Sequence, residues 1–346
     1  MIKKLLNILF LFLPVIGFNI VSGQSMHFSQ YYNAPLLLNP ANTALMPDND
    51  FRLGANYRNQ WAVIPVPYNT YSAFGDFKIG GHRHDRGHNN WLGIGGAIFN
   101  DVAGNGNLSL MEIQGDIAYH LHMGEHALLS LGFSAASVQR SVNYDKLTFD
   151  MQWDGEQFNT TYPNGEKMAG LVKTNYTTVG SGINLAMFPN ENIFMQFSAG
   201  VLNINQPNES FYNQKNVVAY RPIGSIDMLF KAGGSLIINP SMYVTTQSGA
   251  SEIVAGNLFR VHVAGTDINN NEELILGLFY RLNDAIIGTA GYTFGNLQFM
   301  VSYDFTTSGL TPYDGSYGAM EFSIIFKGNY YKTENATTMY TCPRFF

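Results

Sequence analysis

Alternation of apolar and polar residues with a period of two, repeated from one end of the chain to the other, is the strongest constraint this sequence places on its fold. Between 296 and 305, Leu297, Phe299, Val301, Tyr303 and Phe305 fall on one face and Gln298, Met300, Ser302 and Asp304 on the other. The pattern recurs between 111 and 121, where Met111, Ile113, Ile117, Tyr119 and Leu121 oppose Glu112, Gln114, Asp116 and His120. It recurs again between 318 and 327, where Met320, Phe322, Ile324 and Phe326 oppose Glu321 and Ser323. Successive side chains of a strand point to opposite sides, so each segment reads as a strand with one apolar and one polar face. Marking every such segment gives about 14 strands, starting near Phe51, Tyr68, Trp91, Ser109, His126, Asn175, Asn192, Ile226, Ser241, Leu258, Glu273, Ala285, Asn296 and Tyr317, an even number as in single-chain bacterial barrels. Most run roughly 8 to 13 residues, near the 9 to 11 that a tilted strand needs to cross the hydrocarbon layer.

A soluble β-sandwich also alternates, but its strands usually run nearer 5 or 6 residues, and its apolar faces are hidden against a second sheet. Composition favours the membrane. Charged residues make up 13% of the chain, against about 25% in ordinary globular proteins, while 35 Gly, 20 Tyr and 25 Phe are high. The expected fold is all-β: a transmembrane up-and-down antiparallel β-barrel of about 14 strands, with apolar side chains toward lipid and polar ones toward the lumen.

Such barrels alternate short periplasmic turns with longer outer loops, and an even strand count puts both termini in the periplasm. Outer loops are expected at 59–67, 140–174, 205–225 and 306–316, and periplasmic turns at 123–125, 189–191, 239–240 and 294–295. Two connections depart from the pattern: 80–90 is long on the periplasmic side, and 283–284 is short on the outer side.

The chain opens with Lys3-Lys4, an apolar run from Leu5 to Ile16 and then Val21-Ser22-Gly23, the layout of a secretory leader cleaved before Gln24. The run is too short for a spanning helix, and Pro14 interrupts it. This divides the chain into a signal peptide (1–23), an N-terminal arm near the barrel lumen (24–50), the barrel (51–327) and a periplasmic C-terminal tail (328–346). Pro35 and Pro40 prevent the arm from being a central strand.

A net charge of −6 without a Lys/Arg cluster in the mature chain offers no footprint for nucleic acid. The single cysteine, Cys342, permits neither an intrachain disulfide nor a cysteine-based metal site. No nucleophile elbow, His-Glu-x-x-His or P-loop is present. His120 shares a strand face with Glu112 and Asp116, which reads as lumen lining rather than as a catalytic group. His82, His84, Asp85 and His88 are metal ligands in kind, but Arg83 and Arg86 interleave with them and oppose a cation, so 81–90 reads as a solvated loop. No catalytic residue, cofactor or metal is expected.

The arm from Met26 to Ala41 and the following Tyr57-Arg58-Asn59-Gln60-Trp61 resemble the PorP/SprF family of the type IX secretion system of Bacteroidota. The resemblance continues at Tyr280-Arg281-Leu282-Asn283-Asp284, at Ser302-Tyr303-Asp304, at Gly318-Ala319-Met320-Glu321-Phe322 and in the tail Cys342-Pro343-Arg344-Phe345. It implies an integral outer-membrane protein that binds a surface-exported cargo, typically a long adhesin carrying a type B C-terminal domain. It also implies contacts with periplasmic and outer-membrane secretion components and, in some members, a part in gliding motility. Candidate partner-binding residues are Phe28, Gln30, Tyr31, Asn39 and Pro40 of the arm, Arg58 and Trp61 of the next motif, and Arg344 of the tail. Trp153 and Asp154 join them from a loop rich in aromatic and short polar side chains. A solute channel is the alternative, since about 14 strands lies between barrels filled by side chains and the 16 to 18-stranded aqueous pores.

Overall fold

Fourteen antiparallel strands close on themselves in the computed structural model, each paired with its neighbours in sequence and the last with the first. They are β1 (Phe51–Gln60), β2 (Tyr68–Ile79), β3 (Trp91–Ala103), β4 (Leu108–His122), β5 (Ala127–Asn143), β6 (Leu171–Asn190), β7 (Ile193–Leu202), β8 (Arg221–Ala232), β9 (Leu236–Gln247), β10 (Ala250–Ala264), β11 (Glu272–Arg281), β12 (Ala285–Phe294), β13 (Leu297–Thr306) and β14 (Tyr317–Gly328). The structure describes residues 28–46, 49–63, 66–80, 90–166, 168–212, 214–264, 272–309 and 311–330. Closure runs in continuous register from Phe51 opposite Gly328 to Gln60 opposite Ala319, which leaves no sheet edge unpaired. Among the described residues no helix is long and apolar enough to cross a membrane; the strands do the crossing.

The alternation maps onto two faces. On β4, Ile113, Ile117, Tyr119 and Leu121 are exposed on the outside, while Gln114, Asp116 and His120 are buried inside. On β13, Phe299, Val301 and Phe305 face out, and Gln298, Ser302 and Asp304 face in. The outward set forms the band that lipid covers.

The longest connections, 144–170 and 203–220, share one end with 61–67 and 307–316 and with the short 104–107, 248–249 and 282–284, and it is called here the long-loop end; the other carries short turns such as 191–192, 233–235 and 295–296 together with the longer 80–90. Phe51 and Gly328 lie together at the short-turn end.

One expected turn is strand instead. Asn239-Pro240 lies inside β9, and the chain reverses at 233–235, where Gly233 takes a φ of 81°. Pro240 has no N–H to give, and the β8–β9 register is interrupted between Asp227–Ser241 and Phe230–Ile238. The Asn239 side chain fills the gap: its amide donates to the Met228 carbonyl at 2.7 Å and to Asp227 Oδ1 at 3.2 Å. The dipeptide that reads as a turn is therefore a local strand defect repaired by its own asparagine.

Candidate functional site

The described arm lies inside the barrel, in three short turns at Tyr31–Asn33, Pro35–Leu38 and Pro40–Asn42. Pro35 and Pro40 open the second and third, where a missing N–H leaves no bond unmade. The arm rises from the short-turn end, where Ala44 N donates to Asp76 Oδ2 at 2.7 Å and Trp91 Nε1 donates to the Ala44 carbonyl at 3.0 Å. It ends with the Phe28 ring edge-on to Phe99, at 5.9 Å, in the half of the lumen nearer the long loops.

The wall is cut away where the arm touches it. Gly132, Gly182 and Gly200 sit opposite one another on β5, β6 and β7, forming an inward-facing row of three glycines. A Cβ on Gly132 would overlap Pro40 and the Ala41 nitrogen, and one on Gly182 would overlap Asn39 Oδ1. Asn39 then donates to the carbonyl of Ala199 at 3.2 Å and accepts from Ala41 N at 2.8 Å. The Tyr31 hydroxyl bonds Ser241 Oγ at 2.7 Å, and its ring stacks on Tyr243 at 5.2 Å.

Near the long-loop end the arm closes a buried ionic cluster. Arg58 Nη2 is 3.1 Å from Asp304 Oδ2 and Arg58 Nη1 is 3.2 Å from Glu321 Oε2, while Arg281 Nη1 is 3.0 Å from the same Asp304 oxygen and from Asp284 Oδ2. Glu321 accepts from the backbone N–H groups of Ser29 and Gln30, each at 2.9 Å. The Ser29 hydroxyl donates to Asp304 at 2.7 Å and accepts from Arg58 and Arg281. Gln30 reaches Ser302 Oγ at 3.1 Å and accepts from Ser323 Oγ at 2.7 Å. Arg58 is 1% exposed, and a buried guanidinium requires this density of acceptors. The described segments that carry the family resemblance, dispersed along the sequence from Ser29 to Glu321, thus meet in one cluster around Ser29 and Gln30. Reading the sequence singled out Gln30 and Arg58 but missed Ser29, Arg281, Asp304 and Glu321 as site residues.

His120 is another arm anchor. Its Nε2 faces the Thr43 carbonyl at 2.8 Å, which requires the proton there, and Nδ1 then accepts from Ser130 Oγ at 2.7 Å. His120 and Ser130 are fully buried, so this serine-histidine pair presents no open face to a substrate. Among the described residues no group of three or more His, Cys, Asp or Glu side chains is arranged to hold a metal. The loop at 81–89, Cys342 and Arg344 lie outside the described residues.

The candidate residues therefore separate into two sets. Phe28, Gln30, Tyr31, Asn39, Pro40 and Arg58 are buried and engaged within the molecule. Trp61, Trp153 and Asp154 lie at the long-loop end. Trp61 follows β1 at a φ of 56°, packs edge-on against Tyr68 at 5.1 Å and donates its backbone N–H to the Gly318 carbonyl. Trp153 is 50% exposed and packs against Phe158 at 5.0 Å, with Met151, Tyr162, Tyr212 and Tyr220 also exposed at this end. The Asp154 carboxylate accepts from the N–H groups of Gln157 and Glu156, which hold it below the usual carboxylate range and fix the loop turn. Tyr144 and Tyr212 share a hydroxyl hydrogen bond of 3.1 Å that links the 144–170 and 203–220 loops and pushes the Tyr144 phenol up to about 12.

A closed barrel of this strand number, apolar outside and plugged by its own N-terminal segment, defines an integral outer-membrane protein. The profile of the type IX secretion system membrane protein PorP/SprF matches residues 20–326, and the chain belongs to that family. Among solved structures, the chain is similar to the toluene transporter TodX of Pseudomonas putida, with a TM-score of 0.53, 9% identity and coverage of 88% of this chain and 95% of that one. It is also similar to the toluene transporter TbuX of Ralstonia pickettii, with a TM-score of 0.51, 11% identity and coverage of 86% and 94%. These likenesses concern the fold. No curated protein matches the sequence.

Proposed function

We propose that this barrel holds an exported protein at the cell surface, binding it at the long-loop end and catalysing no chemical step. The observation that carries the reading is the division of the molecule into a lumen filled by its own arm and a loop end rich in exposed aromatic side chains. Aromatic residues among short polar ones suit a protein interface, where they supply most of the binding free energy. Membership of a type IX secretion family supports reading the partner as an exported protein, and the resemblance points to one with a type B C-terminal domain.

On this reading residues 1–23 are a leader removed on export and 24–50 form the plug. The short-turn end faces the periplasm, where the tail at 328–346, with Arg344, contacts secretion components. Trp61, Trp153 and Asp154 then face the partner, while Phe28, Gln30, Tyr31, Asn39, Pro40 and Arg58 act indirectly, by holding the plug.

A mild-detergent pull-down of the tagged protein from native outer membranes, followed by mass spectrometry, tests this. Recovery of a large surface protein supports it, and a barrel that comes away alone contradicts it. The second reading, a solute channel like the transporters TodX and TbuX, is favoured only by overall shape, and the arm stands across its path.

A further inference from the structure

Between the arm and the long loops lies a half-open recess of about 280 Å³ that no contact described so far occupies. At about 30 Å³ per water molecule it holds roughly nine waters, the room of one small molecule. Its charged lining is balanced, with Glu112 and Glu209 against Arg140 and Arg221, and each carboxylate already has its cation. Arg140 Nε lies 3.2 Å from Glu209 Oε1, and Arg221 is the electrostatic partner of Glu112. A charged ligand therefore meets repulsion as well as attraction here, and to pair with one member it must part that member from its partner, which leaves a charge alone. A neutral ligand avoids that cost. It can also bond to the pairs as they stand, since a carboxylate accepts at about four positions and a guanidinium donates five N–H groups.

The neutral polar lining is rich in open acceptors. Gln114 gives its amide N–H groups to the Leu36 carbonyl at 3.1 Å and to Asp116 Oδ1 at 2.6 Å, and Gln247 donates to the Ala219 carbonyl at 3.0 Å. These bonds fix both amides, and among the described residues no donor reaches either side-chain oxygen. The rest of the surface is apolar or aromatic, from Leu37 of the arm, Leu110, Val138 and the ring of Tyr176, whose hydroxyl bonds Glu209.

Balanced charge, open acceptors and an apolar surface carrying one aromatic ring complement a neutral molecule with hydroxyl groups around its rim and C–H groups on its faces. We propose that the recess binds a neutral pyranose sugar, its C–H face on the apolar side chains and its hydroxyls on Gln114, Gln247 and the two ion pairs. This goes beyond the docking function proposed above and does not depend on it. A free monosaccharide and the terminal ring of a glycan chain present the same chemistry to the site.

Titration of the full-length barrel in lipid nanodiscs by saturation-transfer NMR tests it. The probes are methyl glucoside, methyl galactoside and methyl mannoside. The controls are methyl glucuronide and methyl glucosaminide, which add a charge to the same ring, and Nα-acetyl-asparaginamide, which is neutral and polar without being a sugar. At least one neutral glycoside should bind with a dissociation constant on the order of millimolar, as expected for a ligand of about a dozen heavy atoms, and every control about tenfold or more weakly. Ala136→Phe, which fills the recess from β5, should abolish binding. Glu112→Gln removes one carboxylate from the balance and should shift preference from the glucoside towards the glucuronide by about tenfold. Heat-modifiable migration on gels verifies that each variant is folded. A trisaccharide that binds more tightly than its terminal ring assigns the recess to the end of a glycan, and one that binds no more tightly assigns it to a free sugar. Absence of binding by all three neutral glycosides, equal binding of the controls, undiminished binding by folded Ala136→Phe or an unchanged preference in folded Glu112→Gln overturns the proposal.

Discussion

Asn39 occupies the space that a side chain at Gly182 would fill. The amide lies against the bare backbone of β6, and the flanking Gly132 and Gly200 extend the bay onto β5 and β7. Glycine inside a strand weakens it, and three side by side mark a place where another backbone approaches closely. The barrel wall and the plug are thus fitted to each other, which makes the plug part of the fold rather than a loose terminus.

Gly182→Val should push the arm off the wall. Overpacking of a filled site costs about 1–3 kcal/mol, visible as a lower thermal midpoint. Combining Gly182→Val with Asn39→Gly should recover most of the loss. An unchanged midpoint in the single variant would show that the arm does not rest in the bay.

Arg58→Ala leaves Glu321 and Asp304 buried with one guanidinium fewer. Breaking a buried ionic network from one side costs on the order of 3–5 kcal/mol. Arg58→Lys should rescue only part of this, because one ammonium cannot serve both carboxylates with the geometry of a guanidinium fork. Denaturant unfolding in detergent measures both variants, and wild-type stability in Arg58→Ala would remove the cluster from the account.

Deletion of residues 28–46 should turn a poorly conducting barrel into a pore, read as single-channel conductance in planar bilayers. Side chains alone do not fill a barrel of this strand number as they fill one of eight strands. A wild-type barrel that already conducts as well as the deletion would restore the channel reading.

Asn239→Ala removes the amide that bridges the break opposite Pro240, leaving the Met228 carbonyl without that donor. The expected cost is about 1–3 kcal/mol, with faster amide exchange confined to β8 and β9. Uniform exchange behaviour across the barrel would argue against a local repair.

Much of the wall was legible in the sequence because period-two alternation is a local signal. The strands of 296–305 and 111–121 present the faces read from their residues. Asn239-Pro240 misled because its repair depends on Met228 and Asp227 of the neighbouring strand. The ionic cluster lay further out of reach: Ser29 and Glu321 are 292 residues apart in sequence, and no local pattern pairs them. The available signal was indirect. Arg58, Arg281, Asp304 and Glu321 are charged residues within recognisable motifs of a weakly charged chain, and in a barrel such charges face the lumen. The inward glycine row was legible in principle, since each glycine interrupts its strand at an inward position, but only once register was known.

The central claim, that an exported protein binds at the long-loop end, is tested most directly by a photo-crosslinking amino acid placed at Trp153 in cells, with Ile113 on the lipid-facing side as control. The account predicts a crosslink from position 153, and none from position 113, to a large surface protein that mass spectrometry identifies. Truncation of an aromatic hot spot costs about 2 kcal/mol or more, so with Trp153 as such an anchor Trp153→Ala should weaken retention of that protein about tenfold or more while leaving barrel stability nearly unchanged. Failure to crosslink any protein from position 153 in cells that export their surface proteins normally would contradict it.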